Sequence, residues 1–483
     1  MESAVPSGSP APSRLHGLLS RAVGSPVVTA FGVALIARVV VAVAVNFATD
    51  GVLIPDEATY MRIADLRSTG DLSAEPTLRC IEYANADGTP LWCSYWRGLF
   101  ASTRTFSWPL TALVWVFGPH RIVGRLLACL FGALAAGATA QLASGFLRKP
   151  FALIAGLIVA LLPSQVMLSS VVLRESAVWL CLACLGVSLG KSDRLAGRGG
   201  VALAAVGLAL LFVLLAWLRI QTAALALWCA VPVFALAGRH RRVRVVFATV
   251  VLVVTPMLVG LGPAGEGFVR DSLVRLGYSR NVMSIEAETA FGYTAWARSE
   301  PPVSATPTTI EGDTAWARSE PPVSATPTTI VGDTTRTAGM LELLTRDAET
   351  ENLLDTLIIL PSGLYNTMVR PFLWRPSDIR SASAGHVLAG LEAPLWVTGY
   401  LFAAAGSVLF RRRVDVIGFP VLIVLAIAIS GAATHGNLGT AFRHRGQVLF
   451  AIAVLGAAGL QALIDRLHMV RNQRAGAVPR AGQ

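Results

Sequence analysis

The sequence contains few charged residues for its length and almost no lysine. Only 14% of its 483 residues are Asp, Glu, Lys or Arg, against about a quarter in soluble domains, and 54% are hydrophobic. With a mean hydropathy of +0.60, this composition excludes an ordinary soluble enzyme. Lys149 and Lys191 are the only lysines among 40 basic residues. Together with abundant Ala and Val, this bias favours a GC-rich bacterial genome and therefore a bacterial plasma (inner) membrane.

Long apolar runs account for most of the chain and predict an all-α, multi-pass membrane protein. A transmembrane helix needs about 20 mainly apolar residues, and about ten runs approach this length. They lie at 26–47, 121–146, 151–170, 174–190, 199–218, 220–237, 243–261, 387–410, 414–433 and 446–464. The first run is longer than the apolar region of a signal peptide and is followed by further spans, so we expect it to remain as an anchor.

The basic residues collect in loops that alternating spans place on one side of the membrane. Arginine and lysine mark cytoplasmic loops. The clusters lie at 148–149, 191–198, 239–244, 411–413 and 466–480. The same side receives only four acidic residues, Glu2, Asp193, Asp415 and Asp465. Both termini are then cytoplasmic, and the net charge of +11 reflects topology, so nucleic acid is not an expected partner.

The predicted spans divide the chain into two cytoplasmic tails, a transmembrane core and two extracytoplasmic regions. The boundaries are a disordered cytoplasmic tail at 1–25, a core at 26–261 that includes the first extracytoplasmic loop at 48–120, a second extracytoplasmic region at 262–386, C-terminal transmembrane helices at 387–465 and a cytoplasmic tail at 466–483.

Two apolar segments in the outer regions predict interfacial structure. Residues 106–118 are too few to span comfortably, so we expect a helix that lies in the interface or re-enters the membrane. Residues 360–376 are interrupted by proline and carry Tyr365, Phe372 and Trp374, which favour the headgroup level. Bordering a lipid groove and acting as a plain anchor both remain open for the second segment.

A tandem repeat occupies part of the second outer region. Residues 294–313 recur at 314–333 with a single difference, at Glu311. Two units rich in Pro, Thr and Ser are too few for a solenoid, which needs about three or more. The pattern therefore predicts a flexible insertion. An acceptor-binding arm that uses Trp296 and Trp316 is the alternative.

The six cysteines fall into an outer pair and a group inside predicted spans. Cys80 and Cys93 in the first outer loop can form a disulfide in an oxidising compartment, and two free thiols are equally compatible with the sequence. Cys181 and Cys184 have the CxxC spacing but lie in an apolar span without a second pair nearby. We therefore interpret them as core residues and not as metal ligands.

The strongest cluster of ionisable residues directly follows the first span. It includes Asp56, Glu57 and Tyr60. Adjacent carboxylates at a membrane surface can hold a divalent metal, or one can act as a general base while the other orients it. A solvated helix start is the alternative, because acidic residues are favourable at a helix N-terminus.

Several arginines lie at the predicted outer ends of spans, where a phosphate can be held. Guanidinium groups suit this task because they bind oxyanions bidentately and stay charged, although snorkelling or salt-bridged arginines are the alternative. The candidates are Arg174, Arg219, Arg370, Arg443 and Arg445. The last two lie in a predicted short outer loop at 436–445, where positive charge is unusual and an anion is a reasonable cause. We assign His435 and His444 to hydrogen bonding.

These features, in their order along the chain, resemble glycosyltransferases of the GT-C fold. The resemblance begins with the segment PDEATYMRIADLRSTGD at 55–71, directly after a span that carries Arg38. Then come an apolar stretch ending in Phe-Gly, a span opening with Arg121 and Arg125, a span ending at 162–164 with Ser169 and Ser170 beyond it, and Glu175. Within this fold the pattern is similar to the family of protein O-mannosyltransferases, lipid A aminoarabinose transferase and related lipid-carrier-dependent enzymes. It covers residues 26–260.

The resemblance implies inverting transfer of a sugar from a polyprenyl-phosphate donor to a glycan, lipid or protein acceptor outside the membrane. Asp56 would be the catalytic base, Glu57 its partner and Glu175 a second acidic site. Tyr60 would join the arginines in binding substrate. Any divalent metal cofactor would lie at Asp56 and Glu175.

Three alternatives compete with this hypothesis. A transporter or flippase of a lipid-linked sugar should show repeated halves and interrupted helices with polar groups near the bilayer midplane; the hydropathy pattern has no such repeat, and Arg38 is the main charge inside the spans. A polymerase or ligase of lipid-linked glycans would not require the early Asp-Glu pair. A purely structural membrane protein leaves the outer clustering of charges unexplained.

Overall fold

The computed structural model describes residues 24–48, 55–70, 106–191, 198–236, 353–370, 384–434 and 438–476. These residues form helices and turns and include no strand, which confirms the predicted all-α membrane class. Most of the N-terminal tail, the tandem repeat, the predicted span at 243–261 and the pair Cys80 and Cys93 lie outside the described residues.

The described ranges contain thirteen helices. They are α1 (Pro26–Ala48), α2 (Pro55–Thr69), α3 (Phe106–Phe117), α4 (Arg121–Ala143), α5 (Lys149–Leu161), α6 (Pro163–Leu168), α7 (Glu175–Lys191), α8 (Arg198–Leu218), α9 (Ile220–Leu236), α10 (Leu353–Val369), α11 (Ala384–Leu409), α12 (Val414–Thr434) and α13 (Leu438–Gly476). Stretches of four helices are long and apolar enough to cross a membrane, namely Pro26–Ala48, Arg121–Ala143, Val414–Ala433 and Arg443–Gln473. The count of about ten spans stays a prediction.

Small residues let the central helices approach closely. α11 and α13 cross at Gly406 and Gly459, where a Cβ on either glycine would lie 2.1 Å from a carbonyl oxygen of the other helix. α5 meets α1 and α4 at Gly156, against Ala30 and Ala140. Because lipid tails are as apolar as leucine, such close van der Waals packing is a main source of attraction between helices in a membrane.

The predicted span at 151–170 is not a continuous helix. α5 ends at Leu161, and α6 begins at Pro163. Proline lacks an N–H and disfavours helical backbone at the preceding residue, and Leu162 is indeed extended, with φ −61° and ψ 117°. The 13 residues of α5 reach only about 20 Å, less than the hydrocarbon core of about 30 Å.

Arg38 satisfies the carbonyl groups that the break leaves open. In a continuous helix the carbonyls of Val159 and Ala160 would accept the amides of residues 163 and 164, but Pro163 has none. The fully buried guanidinium of Arg38 donates to both carbonyl oxygens at 2.9 Å, and its Nε donates to Ser169 Oγ at 2.7 Å. Arg38 is thus the structural cation of the break.

Glu392 completes the break from the opposite side. It lies on α11, is 2% exposed, and its Oε1 accepts the backbone N–H of Ser164. Glu392 has a structural role that the sequence pattern, with few charges inside the predicted spans, did not predict. The available signal was that Glu392 is the only acidic residue in the predicted span at 387–410, and such residues rarely lack a defined role.

α3 is the short apolar helix predicted within residues 106–118, and its interfacial or re-entrant placement stays a prediction. It is shorter than a span and packs Phe106 edge-on against Tyr60 of α2, with ring centroids 5.3 Å apart. Trp108 and Trp115 remain exposed on its other side. The guanidinium of Arg67 lies over the Trp108 ring at 5.4 Å. The helix therefore presents an aromatic face beside α2, as an interfacial helix does.

Pro361 does not break the helix in the segment 360–376, and the interfacial placement of this segment stays a prediction. α10 continues through Pro361 to Val369 and packs against α12, with Gly363 close to the carbonyl of Ala432. Tyr365 is exposed. Pro361 itself is exposed, and it lies inside a helix, as prolines in membrane bundles can.

Replacing Arg38 by Met should destabilise the protein. The carbonyls of Val159 and Ala160 would lose their donors, at about 1–3 kcal/mol for each unpaired group, and the midpoint of thermal unfolding in detergent should fall. Ile36→Met, on the exposed side of the same helix, is the matched control and should leave the midpoint unchanged. Equal midpoints for both variants would contradict the role of Arg38.

Candidate functional site

The ends of several helices converge and bring most of the predicted site residues together. Asp56 begins α2, Glu175 begins α7, Arg219 joins α8 to α9, and Arg443 lies near the start of α13. At the opposite end of the bundle Arg148 pairs with Asp465, both of which the topology assigns to the cytoplasmic side. The converging ends therefore correspond to the predicted outer side.

A fully buried ion pair fixes the base of the site. Glu57 and Arg125 are both 0% exposed and form two parallel bonds, Arg125 Nε to Oε1 at 2.7 Å and Nη2 to Oε2 at 2.9 Å. Glu57 Oε1 also accepts the backbone N–H of Val172 at 3.2 Å. Gly124 makes the convergence possible, because a Cβ there would lie 2.9 Å from side chains of three segments. Glu57 thus ties α2 to α4 and to the chain that enters α7.

Asp56 faces the other way from Glu57 and is partly open. Its Oδ2 accepts a bond from Arg443 Nη1 at 2.6 Å, and the two side chains are 46% and 30% exposed. The pair joins the start of α2 to the start of α13 across 387 positions of sequence. An accessible carboxylate beside an accessible guanidinium can exchange partners with a ligand, which the buried pair of Glu57 cannot do.

Glu175 and Arg219 form a second, looser pair in the same region. Arg219 Nη1 lies 3.9 Å from Glu175 Oε1, and Glu175 Oε2 is buried without a hydrogen-bond partner among the described residues. Arg219 also contacts His444, in agreement with the hydrogen-bonding role predicted for that histidine. Burial lowers the pKa of Arg219 to about 10, so its guanidinium stays charged at neutral pH.

Tyr60 lies one turn beyond Asp56 and is buried at the floor of the cluster. Burial raises the pKa of its hydroxyl above the usual range, with the charges of Arg174, Glu175 and Asp56 also acting on it. The hydroxyl is therefore protonated at neutral pH and available as a hydrogen-bond donor. Arg174 donates to the carbonyl of Leu218 at 3.3 Å, which holds it beside the junction of α8 and α9.

The predicted outer loop at 436–445 is instead largely the beginning of a helix. α13 starts at Leu438, so Arg443 and Arg445 lie on helical backbone and point to different sides. Arg445 is fully buried, donates to the carbonyl of Thr367 at 2.8 Å and lies over the ring of Trp396 at 5.5 Å. Arg445 therefore caps the end of α10, and its buried side chain does not have the position expected of a phosphate ligand.

Arg370 lies at the end of α10 and is almost completely buried. It is 6% exposed, its Nη1 donates to Asn366 Oδ1 at 3.2 Å, and its carbonyl accepts from Arg445. The contacts of Arg370 therefore belong to the end of α10. Of the six predicted substrate-binding residues, Tyr60, Arg174, Arg219 and Arg443 act electrostatically on one another. Arg370 and Arg445 both form hydrogen bonds at the end of α10.

The donor set at Asp56 and Glu175 does not fit a divalent metal well. The described residues contain no group of three or more His, Cys, Asp and Glu side chains that could hold one. Each carboxylate is ion-paired with an arginine, Asp56 with Arg443 and Glu175 with Arg219. The positive charge beside Asp56 and Glu175 therefore comes from guanidinium groups, at the positions where the sequence also allowed a divalent metal.

Replacing Glu57 by Gln should destabilise the fold, whereas Asp56→Asn should not. Breaking a buried pair leaves an uncompensated charge on Arg125, at a cost of about 3–5 kcal/mol, while Asp56 is nearly half exposed. The check is the thermal unfolding midpoint of both variants in the same detergent. Replacing Glu57 and Arg125 together by Leu should recover part of the loss. A Glu57→Gln midpoint equal to that of the parent would contradict the structural role.

Comparisons with known proteins do not place this chain in a family. No family model matches it, and no curated protein or solved structure matches it at a significant level. The arrangement of Asp56, Glu175 and the arginines is therefore the basis for any statement about function.

Proposed function

We propose that this protein is an integral-membrane glycosyltransferase that moves a sugar from a polyprenyl-phosphate donor to an acceptor on the extracytoplasmic side. The observation that carries the proposal is Asp56, an accessible carboxylate held between a buried structural pair and a group of arginines. Glu57 and Arg125 fix the start of α2. Asp56 then projects toward Arg443, beside Glu175 and Arg219. A base next to phosphate-binding cations is what transfer from a sugar phosphate requires.

In this proposal the reaction is a single displacement with inversion at the anomeric carbon. The acceptor hydroxyl oxygen attacks this carbon from the side opposite the phosphate. The new carbon–oxygen bond forms while the bond to the phosphate oxygen breaks, and the electron pair leaves with polyprenyl phosphate. Asp56 takes the hydroxyl proton, because it is the accessible carboxylate of the pair, whereas both oxygens of Glu57 are bound to Arg125.

The arginines would hold the leaving phosphate. Among the described residues of this cluster, Arg174, Arg219 and Arg443 outnumber the acids Asp56 and Glu175 by one. An anionic ligand would balance this charge. Positively charged groups aimed at a leaving phosphate stabilise the charge that develops as its bond breaks. The buried hydroxyl of Tyr60 adds a neutral donor at the floor.

The neighbourhood of the site suits a substrate that arrives in the membrane. α2, which carries Asp56 and Tyr60, packs against the interfacial helix α3. α3 exposes Trp108 and Trp115 on its free side, and exposed tryptophans favour the headgroup level of a bilayer. A donor that carries its sugar phosphate on a lipid would present this group at the same level.

A transporter or flippase is the second candidate, favoured by one observation. The break between α5 and α6, with Arg38 and Glu392 beside it, resembles the interrupted helices at transporter sites. However, Arg38 is fully engaged by carbonyls and Ser169, and Glu392 accepts the Ser164 amide. Both charges therefore serve the backbone of the break, and we retain the enzyme as the proposal.

Asp56→Asn should abolish sugar transfer while leaving a folded protein. Loss of a general base lowers the rate by about 10²–10⁴-fold. The measurement is release of polyprenyl phosphate from a panel of polyprenyl-phosphate sugars by purified protein with an acceptor extract. Asp65→Asn, on the same helix α2, is the matched control and should keep its activity. Transfer at the parent rate by Asp56→Asn would remove Asp56 as the base.

We also propose a bacterial plasma-membrane location with both termini cytoplasmic and the site outside. Arg412 lies in the exposed turn between α11 and α12, and Thr69 is exposed at the end of α2. In a variant whose six native cysteines are replaced by alanine, Arg412→Cys should react with an impermeant maleimide only after the cells are opened. Thr69→Cys should react in intact cells. Labelling of Arg412→Cys from outside would overturn the orientation.

A further inference from the structure

The pairing of Asp56 with Arg443 joins the proposed base to a proposed phosphate ligand. We infer that the two side chains exchange partners: a phosphate-bearing ligand takes Arg443, and this releases Asp56 to accept the proton of the acceptor. The roles of base and leaving group rest on the proposed function, whereas competition for Arg443 rests on the ion pair alone. In this exchange the phosphate ligand binds Arg443 first, and Asp56 then accepts the proton through the released oxygen Oδ2.

The accessibility of the pair makes the exchange feasible. Asp56 and Arg443 are 46% and 30% exposed, whereas Glu57 and Arg125 are 0% exposed. A partly exposed ion pair contributes little net stability because water competes for both groups. A phosphate, which binds a guanidinium through two oxygens, can therefore replace the single bond from Arg443 Nη1 to Asp56 Oδ2.

The position of Arg443 gives it a continuing need for an anion. It is the sixth residue of α13, whose first turn contains no acidic residue that could pair with it. His444 and Arg219 lie in contact behind it. Asp56 and Glu175 both act electrostatically on Arg443, but Glu175 is engaged with Arg219. When Asp56 leaves, a ligand phosphate is the anion that restores the balance.

Asp56 oxygen Oδ2 is occupied while the pair holds. A hydroxyl that approached Oδ2 in this state would have to compete with a charged donor. After the exchange, Oδ2 is free, and the bound phosphate marks the position from which the sugar will depart. The exchange thereby frees this oxygen of Asp56 when the leaving group is in place.

The test is a double-mutant comparison of phosphate binding in purified, detergent-solubilised full chain. The probe is farnesyl phosphate, a short isoprenyl monophosphate, with binding measured by calorimetry for the parent, Asp56→Asn, Arg443→Gln and the double variant. Asp56→Asn should bind the probe about three- to fivefold more tightly than the parent, the effect of releasing one partly exposed pair. The same change in the Arg443→Gln background should have no effect.

The outcomes separate this inference from a general charge effect. An equal gain from Asp56→Asn with and without Arg443 would show that net charge alone matters and would overturn the exchange. Unchanged or weaker binding by Asp56→Asn, or no binding of the probe by the parent, would overturn it as well. Arg443→Met replaces Arg443→Gln if the latter is not monodisperse, and farnesol, which lacks the phosphate, should bind all four proteins equally.

The same experiment distinguishes this inference from the proposed function. If Asp56→Asn binds farnesyl phosphate more tightly only when Arg443 is present, and the parent shows no transfer activity, the exchange is supported and the proposed glycosyltransferase function is contradicted. If the parent transfers sugar but Asp56→Asn does not bind farnesyl phosphate more tightly, the glycosyltransferase function is supported and the exchange is contradicted. Inorganic phosphate as a competitor identifies the source: displacement of the probe at similar concentrations indicates a site for free phosphate, and retention indicates a lipid-linked one.

Discussion

The structure depends on how the bundle satisfies the backbone at Pro163. In an apolar interior every carbonyl and N–H needs a partner, and a proline in the middle of a helix removes one of these partners outright. Two buried charged residues from other helices provide these partners. Arg38 donates to the carbonyls of Val159 and Ala160, and Glu392 accepts the amide of Ser164. Neighbouring residues follow from this solution. Position 132 must be glycine because a Cβ there would lie 2.6 Å from the Nε of Arg38.

The break also determines where the candidate site can form. Because α5 stops short, the chain turns through α6 and reaches Val172, whose amide binds Glu57, before α7 begins at Glu175. A continuous helix over 151–170 would carry this segment away from α2. The buried pair of Glu57 and Arg125 then locks the meeting point. The structural charges Arg38, Glu57, Arg125 and Glu392 are almost completely buried, whereas Asp56 and Arg443 are 46% and 30% exposed. This difference in exposure distinguishes the two groups more clearly than their residue types do.

Sequence patterns predicted much of the framework, since hydropathy reports which segments are apolar. The positions of α1, α4 and α12 and the short α3 follow from it. The pairings do not, because the bond from Arg443 to Asp56 joins residues 387 positions apart. The roles of Arg443 and Arg445 also depended on a detail that the sequence obscured. Assigned to a loop, both arginines were expected to face one phosphate; on a helix, residues two apart lie on nearly opposite sides, so Arg445 is buried against Trp396.

Two consecutive acids illustrate how one helix start can carry two tasks. Asp56 and Glu57 both lie in the first turn of α2, where the positive end of the helix dipole stabilises both as anions. One step along a helix rotates the side chain by about 100°, which is enough to turn Glu57 inward to Arg125 and Asp56 outward to Arg443. The inner acid is held by three bonds to protein groups and has no capacity left for a substrate. The outer acid, Asp56, accepts one hydrogen bond, from Arg443, and a phosphate can bind the same guanidinium. Asp56 is therefore the residue to which we assign the proposed chemistry.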